Sequence, residues 1–205
     1  LALGIWHGTK VVVKTYACES EDRFSGFQRE IGVLFSLRHP NIIQLVGVIL
    51  FPQPSILLPF FQRGSLNLQI RHNPLLLTYA VKRSIACGVV RGMEFLHSHG
   101  MLHLDLKSGN VLLDSTFHAV ITDFGVSRAQ SNATTGGYTG SVRWMAPEMM
   151  ASAVHVGPMA DVYSFCMVLW ELYSLCAAPY SHLEFNHEVC EAVLRGERPV
   201  MPSEA

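Results

Sequence analysis

Oxygen and nitrogen groups that could do chemistry crowd into the run His103-Leu104-Asp105-Leu106-Lys107-Ser108-Gly109-Asn110. A second acid follows in Asp123-Phe124-Gly125, and Lys14 and Glu30 stand well upstream. Carboxylate and amide oxygens are hard ligands suited to Mg²⁺, and Asn110 offers such an oxygen five residues after Asp105. A positioned carboxylate can also take a proton. His103, Asp105 and Asp123 would by themselves serve a metal-dependent hydrolase, and His97, His99 and His103 could be read as a metal site. Each residue also has a plainer reading. A lone Asp is usually a turn or cap residue, and Asp-Phe-Gly an ordinary turn. Lys14 alone would be an edge-strand lysine, and Glu30 a solvated helix position.

These groups need elements to hold them. Thr9 to Thr15 is short and rich in β-branched residues, bounded by Gly8 and by the polar stretch Cys18 to Asp22, and reads as a strand. Phe24, Phe27, Ile31 and Leu34 recur at helical spacing, and His39-Pro40-Asn41 ends that helix, because Pro40 biases its predecessor out of the α region. Leu45 to Leu50 and Ser55 to Leu58 read as short strands. Thr78 is the expected N-cap of a helix carrying Val81, Ile85, Val89 and Leu96 and closed by Gly100. Val111 to Leu113 and Ala119 to Thr122 follow as strands, and Ser127 to Gly140 reads as a mobile loop. Ala160 to Leu175 is apolar nearly all round and predicts a buried central helix. Asn186 is expected to cap a last helix ending at Gly196.

Taken in order, Val11-Val12-Val13-Lys14, Glu30, the His103–Asn110 run, Asp123-Phe124-Gly125 and Ala146-Pro147-Glu148 resemble the eukaryotic protein kinase catalytic domain over nearly the whole chain. The resemblance implies an α+β, two-lobed fold: a small β-rich N-lobe with one helix (1–58), a hinge (59–62) and a mainly helical C-lobe (63–205). It implies ATP and Mg²⁺ as cofactors and a protein as substrate. Under it, Asp105 accepts the acceptor hydroxyl's proton and Lys107 touches the transferring phosphate. Asn110 and Asp123 hold Mg²⁺, Lys14 pairs with the α/β-phosphates, and Glu30 holds Lys14. Leu58 falls at the gatekeeper position, the Pro59-Phe60-Phe61 backbone binds adenine, and Val12 and Leu112 sandwich its ring. Asp161 is expected to brace the catalytic loop through backbone hydrogen bonds. Leu34, Leu45, His103 and Phe124 are expected to stack as the family's regulatory spine, with His103 beneath Phe124, which favours a structural role for the histidines. The segment Gly140 to Glu148 looks most like the tyrosine-kinase-like group, which includes Raf-like enzymes, and with Lys107 this points to Ser/Thr specificity and to signal transduction.

Departures from the family pattern set further expectations. The chain opens at Leu1 within the second strand of the pattern, without a glycine-rich loop, and stops after the last predicted helix. With no initiator Met and an abrupt end, it reads as a piece of a longer chain, with Glu148 expected to lack its arginine partner. Leu104 replaces the Arg that normally binds a phosphorylated activation loop, so the parent is expected not to use loop phosphate in the usual way, although Ser131, Thr134, Thr135, Tyr138 and Thr139 are available. Val12 replaces a usual Ala and Cys166 a usual Gly. Leu104, Val12 and the lack of a glycine-rich loop suggest a rival, a pseudokinase acting as a scaffolding or allosteric module. The presence of Lys14, Glu30, Asp105, Asn110 and Asp123 favours the enzyme. Fifteen Lys and Arg against 16 Asp and Glu give a net charge of −1, which excludes a strong electrostatic footprint for nucleic acid or anionic membrane. The five scattered cysteines fit a reducing, cytoplasmic setting. No stretch offers the ~20 clean apolar residues of a membrane span. At 15% charged residues the chain falls below the ~25% typical of globular proteins, as bare apolar surface would require.

Overall fold

The computed structural model describes residues 1–16, 21–125, 127–129, 141–151, 156–176 and 178–200, with backbone alone at 21–25, 29, 128 and 129. The segment 130–140, with the five hydroxyl acceptors named above, lies outside the described residues, as does Cys18.

β1 (Ala2–Trp6) and β2 (Thr9–Thr15) form a hairpin in which Trp6 faces Thr9 across the two-residue turn His7-Gly8. Both turn residues have positive φ, 46° and 76°, as the tightest right-twisting hairpins require. α1 (Glu21–Ser36) then crosses behind the sheet, and β3 (Gly47–Ile49) and β4 (Ser55–Pro59) complete it in the antiparallel order β1-β2-β4-β3. The register sets Val12 opposite Leu58 and Lys14 opposite Ile56, so the period of two puts Val12 and Lys14 on one face of β2.

After β4 come α2 (Leu66–His72) and α3 (Tyr79–Ser98). The Thr78 hydroxyl caps α3 by accepting from the Val81 N–H, and Gly100 follows the helix at φ +66°. β5 (Met101–Leu102), β6 (Val111–Leu113) and β7 (Ala119–Ile121) carry the chain beneath the cleft, and β8 (Arg128–Ala129) pairs back onto β5. α4 (Pro147–Met150), α5 (Pro158–Ser174) and α6 (Asn186–Leu194) complete an α+β chain in two lobes. One core joins Phe27 and Leu34 of α1, and Leu37 just after it, to Ile85, Val89 and Leu96 of α3 and to Ile121 and Phe124. α3 lies so close to the chain at Asn41 that a Cβ on Gly92 would meet Ile121 Cδ1 at 2.8 Å and the Asn41 carbonyl oxygen at 2.9 Å.

Two expectations are corrected. α5 is not buried all round: Ala160, Asp161, Ser164, Val168, Glu171 and Leu172 face inward, whereas Met159 and Val162 are exposed. Its inner face holds two carboxylates satisfied by hydrogen bonds, an inversion that apolar counting cannot detect. α6 is capped not by Asn186 but at Phe185, where the Glu188 carboxylate accepts from the Phe185 N–H at 2.9 Å and the Glu184 N–H at 3.0 Å.

Candidate active site

The register of β2 aims Lys14 into the cleft between the lobes, where its ammonium lies 2.9 Å from both Glu30 oxygens and 2.9 Å from Asp123 Oδ1. Glu30 is buried on the inner face of α1, and Asp123 lies just beyond β7 in a left-handed conformation, φ +69°. Three separate segments thus meet at one amine. Burial works against the charge on Lys14, but the carboxylates of Glu30 and Asp123 outweigh it and raise its pKa. Burial likewise opposes ionisation of Asp123, and Lys14 reverses the balance, so its pKa is lowered.

Below this cluster the segment between β5 and β6 is held from several sides. The Asp161 carboxylate, fully buried at the start of α5, accepts from the His103 N–H at 2.9 Å and the Leu104 N–H at 2.8 Å, with His97 Nε2 at 2.9 Å. Asp105 Oδ1 accepts from the Ser141 N–H at 2.9 Å. Asp105 Oδ2 accepts from Lys107 Nζ at 2.8 Å and from the Asn110 amide at 3.1 Å. Lys107 also donates to the Ser141 hydroxyl at 2.6 Å. Asn110 is tied to the strand leading to Asp123, because the Thr122 N–H donates to its carbonyl at 3.0 Å. Its amide nitrogen donates to Asp105, which leaves the amide oxygen as the cation-accepting side. One carboxylate and one amide oxygen on adjoining segments fit Mg²⁺, which keeps most of its waters and needs no protein cage.

The His103 ring packs against Phe124 with centroids 5.2 Å apart and the planes tilted by 54°, and it reaches the Thr122 carbonyl, in line with its structural reading. The other two histidines go elsewhere, His97 to Asp161 and His99 to the Phe95 carbonyl and ring. Among the described residues no group of three or more His, Cys, Asp or Glu could hold a metal ion. Leu104 packs with Leu102, Ala146, Val156 and Ala160, an apolar contact where the family pattern has a cation. Glu148 makes no ion pair among the described residues, and Arg198 instead lies 5.2 Å over the Tyr163 ring. At the cleft's upper edge are Val12, the buried Leu58 and the half-buried Phe61, and Ser65 bridges to Leu112 from below.

Sequence reasoning missed three participants. Ser141 contacts Asp105 and Lys107, as above. Glu171, fully buried on α5, accepts from the Ser108 hydroxyl at 2.5 Å, the Ser108 N–H at 3.2 Å and the Trp144 indole at 2.8 Å. The Tyr16 hydroxyl donates to Glu30 Oε2. Tyr16 continues the Val12–Lys14 face by the period of two, a readable signal; Glu171 gave only a lone acid in an apolar helix.

Two lobes with a cleft between them, a lysine held between two carboxylates above and a pinned acidic loop below, make up the two-lobed α+β fold of a protein kinase domain. The family model described as protein tyrosine and serine/threonine kinase matches residues 3–205, and the chain belongs to that family. It is 35% identical over 211 residues to a putative serine/threonine-protein kinase/receptor of Acanthamoeba polyphaga mimivirus, covering 98% of this chain and 13% of the relative. A dual specificity protein kinase of Dictyostelium discoideum is 35% identical over 98% of this chain and 15% of its own length. A serine/threonine/tyrosine-protein kinase of Arabidopsis thaliana is 33% identical over 86% of this chain and 46% of its own length. The chain thus spans less than half of each. Members of the family generally use ATP and Mg²⁺. Among the described residues no helix is long and apolar enough to cross a membrane.

Proposed function

We propose that the protein containing this chain transfers the γ-phosphoryl group of Mg-ATP to Ser or Thr hydroxyls of protein substrates, in cytoplasmic signalling. The observation that carries this reading is Lys14 joined at once to Glu30 and Asp123 at 2.9 Å. Mg-ATP, when bound, supplies the transferable group, with Asn110 and Asp123 as its metal ligands. Lys14 offers its charge to the phosphates, and Glu30 fixes where that charge stands. The backbone of Pro59 to Phe61 receives adenine between Val12 and Leu112, with Leu58 behind it. Asp105 takes the acceptor hydroxyl's proton on its carboxylate, which Ser141, Lys107 and Asn110 hold in one orientation. Lys107 stands beside that acceptor to meet developing negative charge.

Specificity for Ser and Thr is supported by Lys107, by the resemblance of Gly140 to Glu148 to the tyrosine-kinase-like group, and by the names of the relatives, some of which are dual-specificity. The test is γ-phosphate transfer from Mg-ATP to a mixed Ser, Thr and Tyr peptide pool by the full protein, with Asp105→Asn and Asp123→Asn as controls. Transfer to Ser and Thr that disappears in both variants is expected. A folded protein that transfers nothing would instead be a pseudokinase.

A further inference from the structure

A buried carboxylate must have its charge answered by donors, and Glu30 has two on neighbouring positions of one strand face. They are not equivalent. Lys14 is shared with Asp123 and, under the function proposed above, must also serve a nucleotide's phosphates. The Tyr16 hydroxyl donates to Glu30 alone among the described groups. Its ring stands edge-on to Phe27 with centroids 5.2 Å apart, and its N–H is fixed to the Pro54 carbonyl at 2.9 Å. Phe27 and Glu30 are three residues apart on α1 and so share a face. Tyr16 therefore grips α1 twice, by its ring and by its hydroxyl.

We propose that Tyr16 is a positioning residue, a strut that holds α1 against the sheet through Glu30 by a bond separate from that of Lys14, so that Glu30 stays inward and keeps Lys14 in place while the lysine serves a nucleotide. Burial and the Glu30 carboxylate push the Tyr16 phenol upward, so it keeps the proton it donates at any physiological pH. The kinetic consequence rests on the proposed kinase function; the structural one does not.

Tyr16→Phe is the informative variant, because it keeps the ring against Phe27 and deletes only the hydroxyl. In the full protein, backbone amide exchange across α1 is expected to quicken about tenfold, with α3 unchanged, because a hydrogen bond to a buried charge is lost. The kcat/KM for ATP is expected to fall about tenfold as well. In a Glu30→Gln background, where the acceptor is a neutral amide oxygen and the bond correspondingly weaker, Tyr16→Phe should change either quantity by only about two- to threefold. A residue that merely fills space would leave Tyr16→Phe identical to the wild type. Unchanged α1 exchange overturns the strut, and so does an equal effect in the Glu30→Gln background. Faster, Glu30-dependent exchange in a protein that transfers no phosphate upholds the strut and removes the kinase reading.

Discussion

Asp161→Asn should cost about 3 kcal/mol of stability, and the structure says why. The wild-type carboxylate is fully buried and its two oxygens receive His103 N–H, Leu104 N–H and His97 Nε2, all within 2.9 Å. An asparagine keeps the shape but converts one acceptor into a donor. At least one backbone N–H then faces an NH₂ group, so one charge-assisted bond of about 1.5–3 kcal/mol is lost and a buried donor is left unmet at about 1–3 kcal/mol. The pH dependence follows from the same contacts. Burial pushes the Asp161 carboxyl up, but His97, the nearby His103 and the two backbone N–H groups outweigh it, and its pKa is lowered. The unfolded carboxylate titrates near ~3.9, so the wild-type advantage is complete above that pH and shrinks as pH falls through the lower folded value. Guanidinium unfolding of both proteins between pH 3 and 8 measures it. A loss below about 0.5 kcal/mol at neutral pH, or one that stays constant into acid, would refute the reasoning.

Glu171 should show the opposite sign. Burial raises its pKa from 4.5 to about 7 despite the Ser108 and Trp144 bonds and the attraction of Arg71, so wild-type stability relative to Glu171→Gln should fall as pH climbs from about 4.5 to 7. Unfolding titrations of the two proteins compare the slopes, and equal slopes would count against it. Gly92→Ala should lower Tm, because a Cβ at 2.9 Å from the Asn41 carbonyl costs about 1–3 kcal/mol, more than the ~1 kcal/mol gained in helix propensity. Ser141→Ala should lower kcat several-fold with little change in KM for ATP, since it frees Lys107 while leaving the Ser141 N–H on Asp105; steady-state kinetics separate the two.

Where the sequence was legible, its local physics agreed with the tertiary demand. The β-branched strand Thr9–Thr15, the Thr78 cap and the Asp161 brace stand where spacing, capping and motif place them. Lys14, Glu30 and Asp123 are distant in sequence, and only the motif order linked them before the fold brought them to 2.9 Å. α2 was missed because seven residues give too short a period to read, although Ser65 caps it. The inner face of α5 was misjudged because burial there is decided by partners rather than by hydropathy: Asp161 and Glu171 are inside while Met159 and Val162 are outside. Phe185 caps α6 through a carboxylate three residues later, a reciprocal contact that the identity of the cap residue does not announce.

The two buried carboxylates of α5 serve one purpose. Asp161 and Glu171 are ten residues apart on α5, about 15 Å along its axis. The first holds His103 and Leu104 and the second holds Ser108, so the loop carrying Asp105 and Lys107 is pinned on either side to one rigid helix. Between the pins, Asp105 needs only the lateral bonds from Ser141, Lys107 and Asn110 to be fixed in direction. A helix packed by apolar residues alone could support this loop but not orient it, since dispersion contacts have no direction and hydrogen bonds to a buried charge do. The two pins also carry opposite pKa displacements: Glu171 takes up its proton around pH 7 and below, relieving the cost of burying its charge, whereas Asp161 stays charged. The Ser108 end of the loop, together with Trp144, is therefore the end that responds to mild acid, and since the folded state holds that proton better than the unfolded chain does, it responds without loss of stability.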